Sequence, residues 1–535
     1  MAYVITQNCC KDASCVPVCP VDCIRPVNEA GQRATEMLYI DPETCIDCGA
    51  CMEECPVDAI FYDDDLPPEQ ARFQEINAAY FQAHPLEQAA AQAVSQHPPV
   101  AAGALRVAIV GAGPAACYTA ADLIAVDGVE VNLFERLPTP FGLIRAGVAP
   151  DHQHTKAIVR IFEHTLASER MRCYLNTEMG TTISHDELMA HHHAVIYAVG
   201  SSVGRQLGIR GEQLPGVHTA ADVVGWYNGH PDHVNHRIDM SGKRAIIVGN
   251  GNVALDIARV LLMDHDQLAT TDIADHALEV LNSSSIDEVV IVGRRGLRDA
   301  AFSVGEFHAL GHLPDVDIVI DPPPSPSHGA EDIDTIQKIA LACEYGSRPT
   351  SSARKRITFV FNRTPAEVIG SDRATGLRVR ATDSTDTGEP EEIAASLIIA
   401  AIGYQSPALP GVPYDAQHGI IPNDNGRVVD GGAIVPGVYV TGWIKRGPRG
   451  VIGSNRTCAA ETVAQLLSDF DAGTLDRDSR TNEELDRVLL GRQAAPLSWA
   501  HWRAIDDAEQ QRGRQSSRPR LKFTSRDDML AAAKS

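Results

Sequence analysis

The hydrophobic pattern of this 535-residue chain changes character twice. Up to about residue 65, short apolar pieces are interrupted by cysteines and prolines. An acidic stretch running into proline, Asp63-Asp64-Asp65-Leu66-Pro67-Pro68, closes that region. Residues 69–83 have helical composition and predict a helix that packs on a neighbour. Residues 84–104, rich in Ala, Gln and Pro, read as a flexible linker. From Leu105 onward, unbroken apolar runs alternate with helically spaced ones. RVAIV (106–110) and RAIIV (244–248) each lead into a glycine-rich turn and a helical pattern, and the two units begin about 135 residues apart. Further buried strands are predicted in HAVIYAVG (193–200), DEVVIVGRR (287–295) and SLIIAAIGY (396–404). Continuous apolar strands alternating with helices predict α/β domains on parallel sheets. The Pro/Ser-rich stretch 319–355 is expected at the surface, and the tail after about 475 is expected to carry short helical pieces.

Composition narrows this picture. The chain is 44% hydrophobic and 22% charged, which is ordinary for a globular protein. It is too long for one core, since single cores stop growing near ~250–300 residues. The net charge of −24 disfavours non-specific binding to nucleic acid or to an anionic membrane, and favours a basic protein partner. No apolar run approaches the ~20 residues of a membrane span. The start, MAYVITQNCC, lacks the basic-then-apolar pattern of an export signal, so a cytoplasmic protein is expected. The distribution is uneven: nine of 13 cysteines lie between Cys9 and Cys55, and the first 80 residues hold 15 Asp/Glu against 4 Lys/Arg.

Those cysteines repeat one spacing. The second group is Cys45-x2-Cys48-x2-Cys51-x3-Cys55-Pro56. The first is Cys9-x2-Asp12-x2-Cys15-x3-Cys19-Pro20, with Asp12 where a cysteine is expected. This is the run in which three thiolates hold one iron–sulfur cluster and the fourth cysteine holds the other. Cys45, Cys48, Cys51 and Cys19 are then expected to hold a [4Fe–4S] cluster. Cys9, Cys15 and Cys55 are expected to hold a second cluster, [3Fe–4S] or Asp12-ligated [4Fe–4S]. A disulfide scaffold would need an oxidising compartment, and zinc ribbons would not need the Cys-Pro pair twice. Cys10, Cys23, Cys117, Cys173, Cys343 and Cys458 are read as thiols without a cofactor role.

The glycine turns carry the second chemistry. Gly111-Ala-Gly113-Pro-Ala-Ala116 allows a tight turn and close approach of a pyrophosphate to a helix N-terminus. The next strand ends at Glu135, placed to accept from a ribose hydroxyl and to repel a 2′-phosphate, which favours FAD or NAD. In the second turn, Gly249-Asn250-Gly251-Asn252-Val253-Ala254, the following strand ends in Arg294-Arg295. Two guanidinium groups there suit the 2′-phosphate of NADP(H).

LPTPFGLIRAGVAPDHQHTK (137–156), VGNGNVALDIAR, GRRGLRDAAFSVGE and TGWIKRGPRGVIGSN (441–455) are long motifs. With them, residues 105–510 resemble the adrenodoxin-reductase type of ferredoxin–NADP reductase. Residues 1–65 resemble dicluster bacterial ferredoxins of the seven-iron type, and the whole chain resembles the actinobacterial fusions of the two. The resemblance implies an α+β ferredoxin-like module (1–65), a helix and linker (66–104), a discontinuous Rossmann-like FAD domain (105–201 with 405–535) and an inserted NADP domain (202–404). It implies that Gly111, Gly113, Ala116, Glu135 and Leu143 contact FAD, with Trp443, Gly450, Val451 and Ile452 near its ring. It further implies that Asn250, Gly251, Asn252 and Val253 hold the NADP pyrophosphate, that Arg205 aids Arg294 and Arg295, and that Glu306 and Gly450 lie on the nicotinamide side. No catalytic side chain is assigned, and His152 of the Asp-His pair is left without a role. His191-His192-His193 is read as a solvated helix end.

These parts imply an NADPH-dependent ferredoxin reductase. NADPH gives a hydride, clusters take single electrons, and a flavin handles both. The expected route runs from NADPH to FAD, through the clusters, to an external acceptor protein such as a cytochrome P-450 or another ferredoxin-dependent enzyme. The rival readings are an electron-supplying subunit of a larger iron–sulfur flavoprotein, of the glutamate-synthase small-subunit kind, and a non-enzymatic electron carrier or redox sensor. Replacing Arg294 and Arg295 with neutral residues is expected mainly to raise the KM for NADPH, and steady-state kinetics unchanged in NADPH would refute that assignment.

Overall fold

Apolar runs with no polar alternation belong in strands covered on both faces, and the chain places them so. In the computed structural model, residues 2–26, 35–86, 97–327, 331–351, 354–382, 389–492 and 496–534 are described. A seven-stranded sheet runs in the order Asn423–Asp424, Arg427–Asp430, Ala433–Val440, Ala194–Tyr197, Arg106–Val110, Glu130–Glu135, Met171–Leu175. Its last five strands are parallel. Two stretches of chain far apart in sequence therefore build one sheet. A second, six-stranded sheet is wholly parallel: Val217–Thr219, Leu397–Ala400, Arg244–Val248, Glu288–Val292, Lys355–Val360, Val316–Asp321. The chain leaves the first sheet for the second and returns through two short strands, Val203–Gly204 and Tyr404–Gln405, which pair antiparallel.

The N-terminal residues form two small antiparallel pairs, Tyr3–Ile5 with Ile60–Tyr62 and Ile24–Arg25 with Tyr39–Ile40. The helix Phe73–Ala83 fastens them to the rest. Its Asn77, 2% exposed, donates to the Ile5 carbonyl at 2.8 Å and accepts from the Ile40 amide at 2.9 Å, and Tyr80 stacks on Tyr39 at 4.3 Å. On its other side Phe73 meets the His308 ring edge-on at 5.8 Å, and just before it Arg72 pairs with Glu344 at 2.6 Å. Residues 87–96 of the expected linker lie outside the described residues. Among the described residues no helix is long and apolar enough to cross a membrane.

Two expectations need correction. The Pro/Ser-rich region 319–355 contains the 15-residue helix Ile333–Ser347, which buries Ile339, Leu341, Ala342 and Tyr345. The three consecutive histidines are not solvated: His191, His192 and His193 are all buried. Each finds a backbone partner. His191 Nδ1 and His192 Nδ1 each lie 2.7 Å from a backbone carbonyl one turn back, and His193 Nδ1 accepts from the Arg106 amide at 2.9 Å. Burial pushes His192 down to about 3.

A buried ion set joins three distant segments. Asp272 lies 2.7 Å from Lys156 Nζ and 2.9 Å from Lys522 Nζ, and all three side chains are at most one-tenth exposed. Burial opposes ionisation of Asp272, but the two ammonium groups outweigh it and hold the carboxyl well below its usual range. Asp272→Asn strands two buried cations. It is expected to lower the unfolding free energy by ~3–5 kcal/mol, read by denaturant titration, and a change within ~0.5 kcal/mol would show that the set contributes nothing.

Candidate dinucleotide and cluster sites

The two glycine turns use the same device. Gly111 has φ +106°, and a Cβ on it would come 2.5 Å from the Ala198 carbonyl oxygen. Gly249 has φ +116°, and its Cβ would come 2.2 Å from the Ala401 oxygen. Only glycine allows the strand to turn this close to its neighbour. Gly113 and Gly251 face open space and cap the helices Pro114–Ile124 and Asn252–Leu262. The helix N-termini, with their free amides and favourable dipoles, border one cavity of about 1170 Å³. That volume exceeds the ~300–1,000 Å³ of a single small-molecule pocket and suits two extended dinucleotides.

Of the residues implicated by sequence, Gly111, Gly113, Glu135, Leu143, Asn252, Val253, Arg295, Glu306, Trp443, Gly450, Val451 and Ile452 line this cavity. Glu135 ends its strand with its oxygens accepting from the Ala112 and Leu137 amides at 3.0 Å, and burial raises its carboxyl above the usual range. Trp443 donates its Nε1–H to the Arg449 carbonyl at 3.1 Å. Ala116, Asn250, Gly251, Arg294 and Arg205 are not on the cavity wall. Arg294 and Arg295 both stand exposed just past the strand Glu288–Val292, whereas Arg205 donates to the Tyr404 carbonyl at 3.0 Å on the crossover strands.

Three features escaped the sequence reading. Phe141 is buried with φ +75°, unusual for a residue with a side chain, and its amide donates to Ala112 at 2.8 Å. The strain sits where FGL meets the first glycine turn: Gly142 follows, and a Cβ there would lie 3.0 Å from Gly113 Cα. Second, one potential ligand atom each from His152, Asp256 and Glu306 lie within 4.8 Å of one another on the cavity side. The buried Arg259 reaches Asp151 and Asp256 at 2.7 Å and Glu306 at 3.3 Å, while burial keeps the Glu306 carboxyl raised. The Asp-His pair in VAPDH was the available signal. Third, Glu36 of the cysteine module hydrogen-bonds Asn252 at the second turn, and burial pushes its carboxyl up to about 7.

The cysteines fall into two groups. Cys19, Cys45, Cys48 and Cys51 surround a small cavity with Cys23, Tyr3 and Ile40. Burial and the nearby thiols of Cys45, Cys19 and Cys48 push Cys51 up to about 12. Cys9, Cys15 and Cys55 form the other group: burial raises Cys15, with Cys9 and Cys55 its leading thiol neighbours. Backbone amides already point at sulfur, from Lys11 to Cys9 at 3.4 Å, Ala59 to Cys55 at 3.3 Å and Cys23 to Cys19 at 3.4 Å, as anionic thiolates require. Cys9 and Cys10 also line the large cavity. Asp12 is buried and engaged elsewhere: it accepts from the Tyr118 hydroxyl at 2.5 Å and the Ser14 amide at 3.0 Å. Its carbonyl accepts from Arg456 at 2.9 Å, and the Cys10 carbonyl accepts from the Gly453 amide at 2.8 Å.

Two families match separate parts of the chain: a 4Fe-4S binding domain over residues 38–61 and a pyridine nucleotide-disulphide oxidoreductase over 105–292. A probable ferredoxin/ferredoxin–NADP reductase of Mycobacterium tuberculosis is 46% identical over 554 residues, covering 100% of this chain and 95% of its own. The chain belongs to the ferredoxin/ferredoxin–NADP reductase family. Its reductase part is similar to the solved structure of Mycobacterium tuberculosis FprA in complex with NADPH, with TM-score 0.76 and 40% identity over 81% of this chain and 100% of that one. The mitochondrial NADPH:adrenodoxin oxidoreductase of Arabidopsis thaliana is 37% identical over 80% of this chain and 95% of its own.

In this reductase the junction between module and cavity is steric as well as polar. A Cβ on Gly453 would come 1.8 Å from the Lys11 oxygen. Gly453→Ala is expected to force the segment Cys9–Ser14 away, raising hydrogen exchange at the Gly453 and Ser14 amides by at least ~10-fold; exchange equal to wild type would show that the segment is not seated there.

Proposed function

We propose that this chain is an NADPH-dependent ferredoxin reductase that carries its ferredoxin in the same polypeptide and delivers electrons to an external acceptor protein. The observation that carries this reading is that one cavity is bordered by both glycine turns and by Cys9 and Cys10 of the cysteine module. When bound, FAD converts hydride chemistry into the single-electron chemistry of iron–sulfur clusters. In this reading residues 105–201 with 405–535 hold FAD, and residues 202–404 hold NADP(H). Gly111, Gly113 and the amides after them, Ala116 among these, receive the FAD pyrophosphate, and Glu135 its ribose. Leu143, Trp443 and Gly450 to Ile452 wall the ring and exclude water. Asn250 to Val253 receive the NADP(H) pyrophosphate, so Glu36 must yield its bond to Asn252 when the nucleotide enters. Arg294 and Arg295, exposed and lightly engaged, take the 2′-phosphate, aided by Arg205. Glu306, beside His152 and Arg259, faces the nicotinamide side.

The same reading assigns a [4Fe–4S] cluster to Cys19, Cys45, Cys48 and Cys51. It assigns a [3Fe–4S] cluster to Cys9, Cys15 and Cys55, because the Asp12 carboxylate is already satisfied by Tyr118 and Ser14. The outlet is the face around Cys48. Cys48 is exposed, Ile46 is 58% and Met52 45% exposed, and the exposed Asp47, Glu53 and Glu54 are their sequence neighbours. An apolar patch with an acidic rim suits a basic acceptor surface.

Anaerobic NADPH titration followed optically and by EPR tests this. The flavin absorbance is expected to bleach, with cluster reduction following in the same molecule; a flavin that NADPH leaves unbleached would defeat the proposal. Asp12→Cys is expected to replace the three-iron EPR signal of the oxidised protein with an EPR-silent four-iron cluster. Iron content unchanged from wild type would count against the three-iron assignment.

A further inference from the structure

Between the helix Ala220–Tyr227 and the strand Arg244–Val248 the chain reads Gly229-His230-Pro231-Asp232-His233-Val234-Asn235-His236. None of the chemistry above uses His233 or His236. The segment folds as successive tight turns: the His230 amide donates to Gly225 at 2.8 Å, that of His233 to His230 at 2.8 Å, and that of His236 to His233 at 3.1 Å. These turns bring the two histidines, three residues apart, to one side, with rings stacked at 5.5 Å. The His233 ring lies on Gly225, where a Cβ would come 2.5 Å from Cδ2. The helix is thus notched to receive it.

Asp222, on the first turn of that helix, faces them. Its Oδ2 is occupied by the helix cap, accepting from the Thr219 amide at 3.0 Å and hydroxyl at 2.7 Å. Its Oδ1 is directed at the histidines, 3.5 Å from His233 Nδ1 and 3.4 Å from His236 Nε2, and the three atoms all lie within 4.8 Å of one another. Hydrogen bonds of this kind are shorter, near ~2.7–3.2 Å. A tetrahedral ion with bonds of ~2.0–2.1 Å separates its ligand atoms by about 3.3–3.4 Å, close to the two distances from Asp222 Oδ1 to the histidines. His233 Nδ1 is buried without a hydrogen-bond partner, and so is Nε2 of His218, whose ring lies 6.2 Å from that of His236.

We propose that Asp222 Oδ1, His233 Nδ1 and His236 Nε2 form a binding site for a divalent transition-metal ion of the zinc class. Two imidazoles and one carboxylate suit that class. The site is half-open, with side-chain exposures of 24% for Asp222, 19% for His233 and 35% for His236, so an ion has access and its fourth position is left to water or to His218. The ion would tie the loop to the helix. The same loop carries His230 and Asp232 to the cavity wall, where Asp232 pairs with Arg136 at 2.6 Å, next to Glu135. The site is therefore a buttress for the rim of the dinucleotide cavity and takes no part in electron transfer.

The test uses the full holoprotein, with iron and flavin content measured first so that empty cluster sites do not bind zinc. After chelator treatment, the protein is dialysed anaerobically against zinc chloride alone and bound zinc is counted by mass spectrometry. Wild type and His230→Ala are expected to bind one zinc per chain that His233→Ala and His236→Ala lose or bind at least ~10-fold more weakly. His236, more than a third exposed at its side chain's edge of the loop, serves as the variant that leaves the fold intact if His233→Ala does not. Zinc is also expected to raise the Tm of wild type and of His230→Ala but not of His236→Ala. Equal zinc content and equal Tm response in wild type and His236→Ala would overturn the proposal and leave histidine–aspartate ion pairs only.

Discussion

The arrangement rests on a backbone contact: the Gly453 amide meeting the Cys10 carbonyl at 2.8 Å. No residue with a Cβ tolerates that approach, because its side chain would run into the Lys11 oxygen. Around the contact, Tyr118 holds the Asp12 carboxylate and Arg456 holds the Asp12 carbonyl. Tyr118 belongs to the helix that begins at the first glycine turn, and Gly453 follows the Gly450–Ile452 segment, which also lines the cavity. The module is thereby gripped by the two elements that border the cavity. A tether alone would raise its effective concentration. Here the chain also provides a fixed seat, and Asn77 with Arg72 and Phe73 fasten the module's far side.

In the proposed reading this seat gives the two cysteine groups different jobs. Cys9 of one set lines the cavity, while Cys48 of the other is exposed, as are its sequence neighbours Ile46 and Met52. The charge distribution of the chain fits such a layout, since the first 80 residues contribute −11 of its −24. In that reading, acidic groups near an exposed apolar patch would steer a basic partner and set its orientation.

Local constraints were legible in the sequence and long-range ones were not. Gly111 and Gly249 were readable because a positive φ and a close approach are properties of a few consecutive residues. The cysteine repeats were readable because ligand spacing is also local. The Asp12 substitution was visible, but its partner Tyr118 lies 106 residues away, so its use in docking was not. The same holds for Arg259 with Asp151, 108 residues apart, and for the Lys156–Asp272–Lys522 set. The three histidines misled for a different reason. Polarity predicts exposure only when no partner is waiting, and the Arg106 amide and two helix carbonyls wait there. The helix Ile333–Ser347 was hidden behind the prolines that precede it.

The central claim is that the Cys9 set stands between the flavin cavity and the Cys48 set. Anomalous X-ray diffraction at the iron edge from crystals of the oxidised holoprotein measures this most directly. Two iron peaks are expected, the nearer to the flavin bounded by Cys9, Cys15 and Cys55 and the farther by Cys19, Cys45, Cys48 and Cys51. An iron peak bounded by Cys45, Cys48 and Cys51 next to the flavin, or a module detached from Gly453, would contradict it.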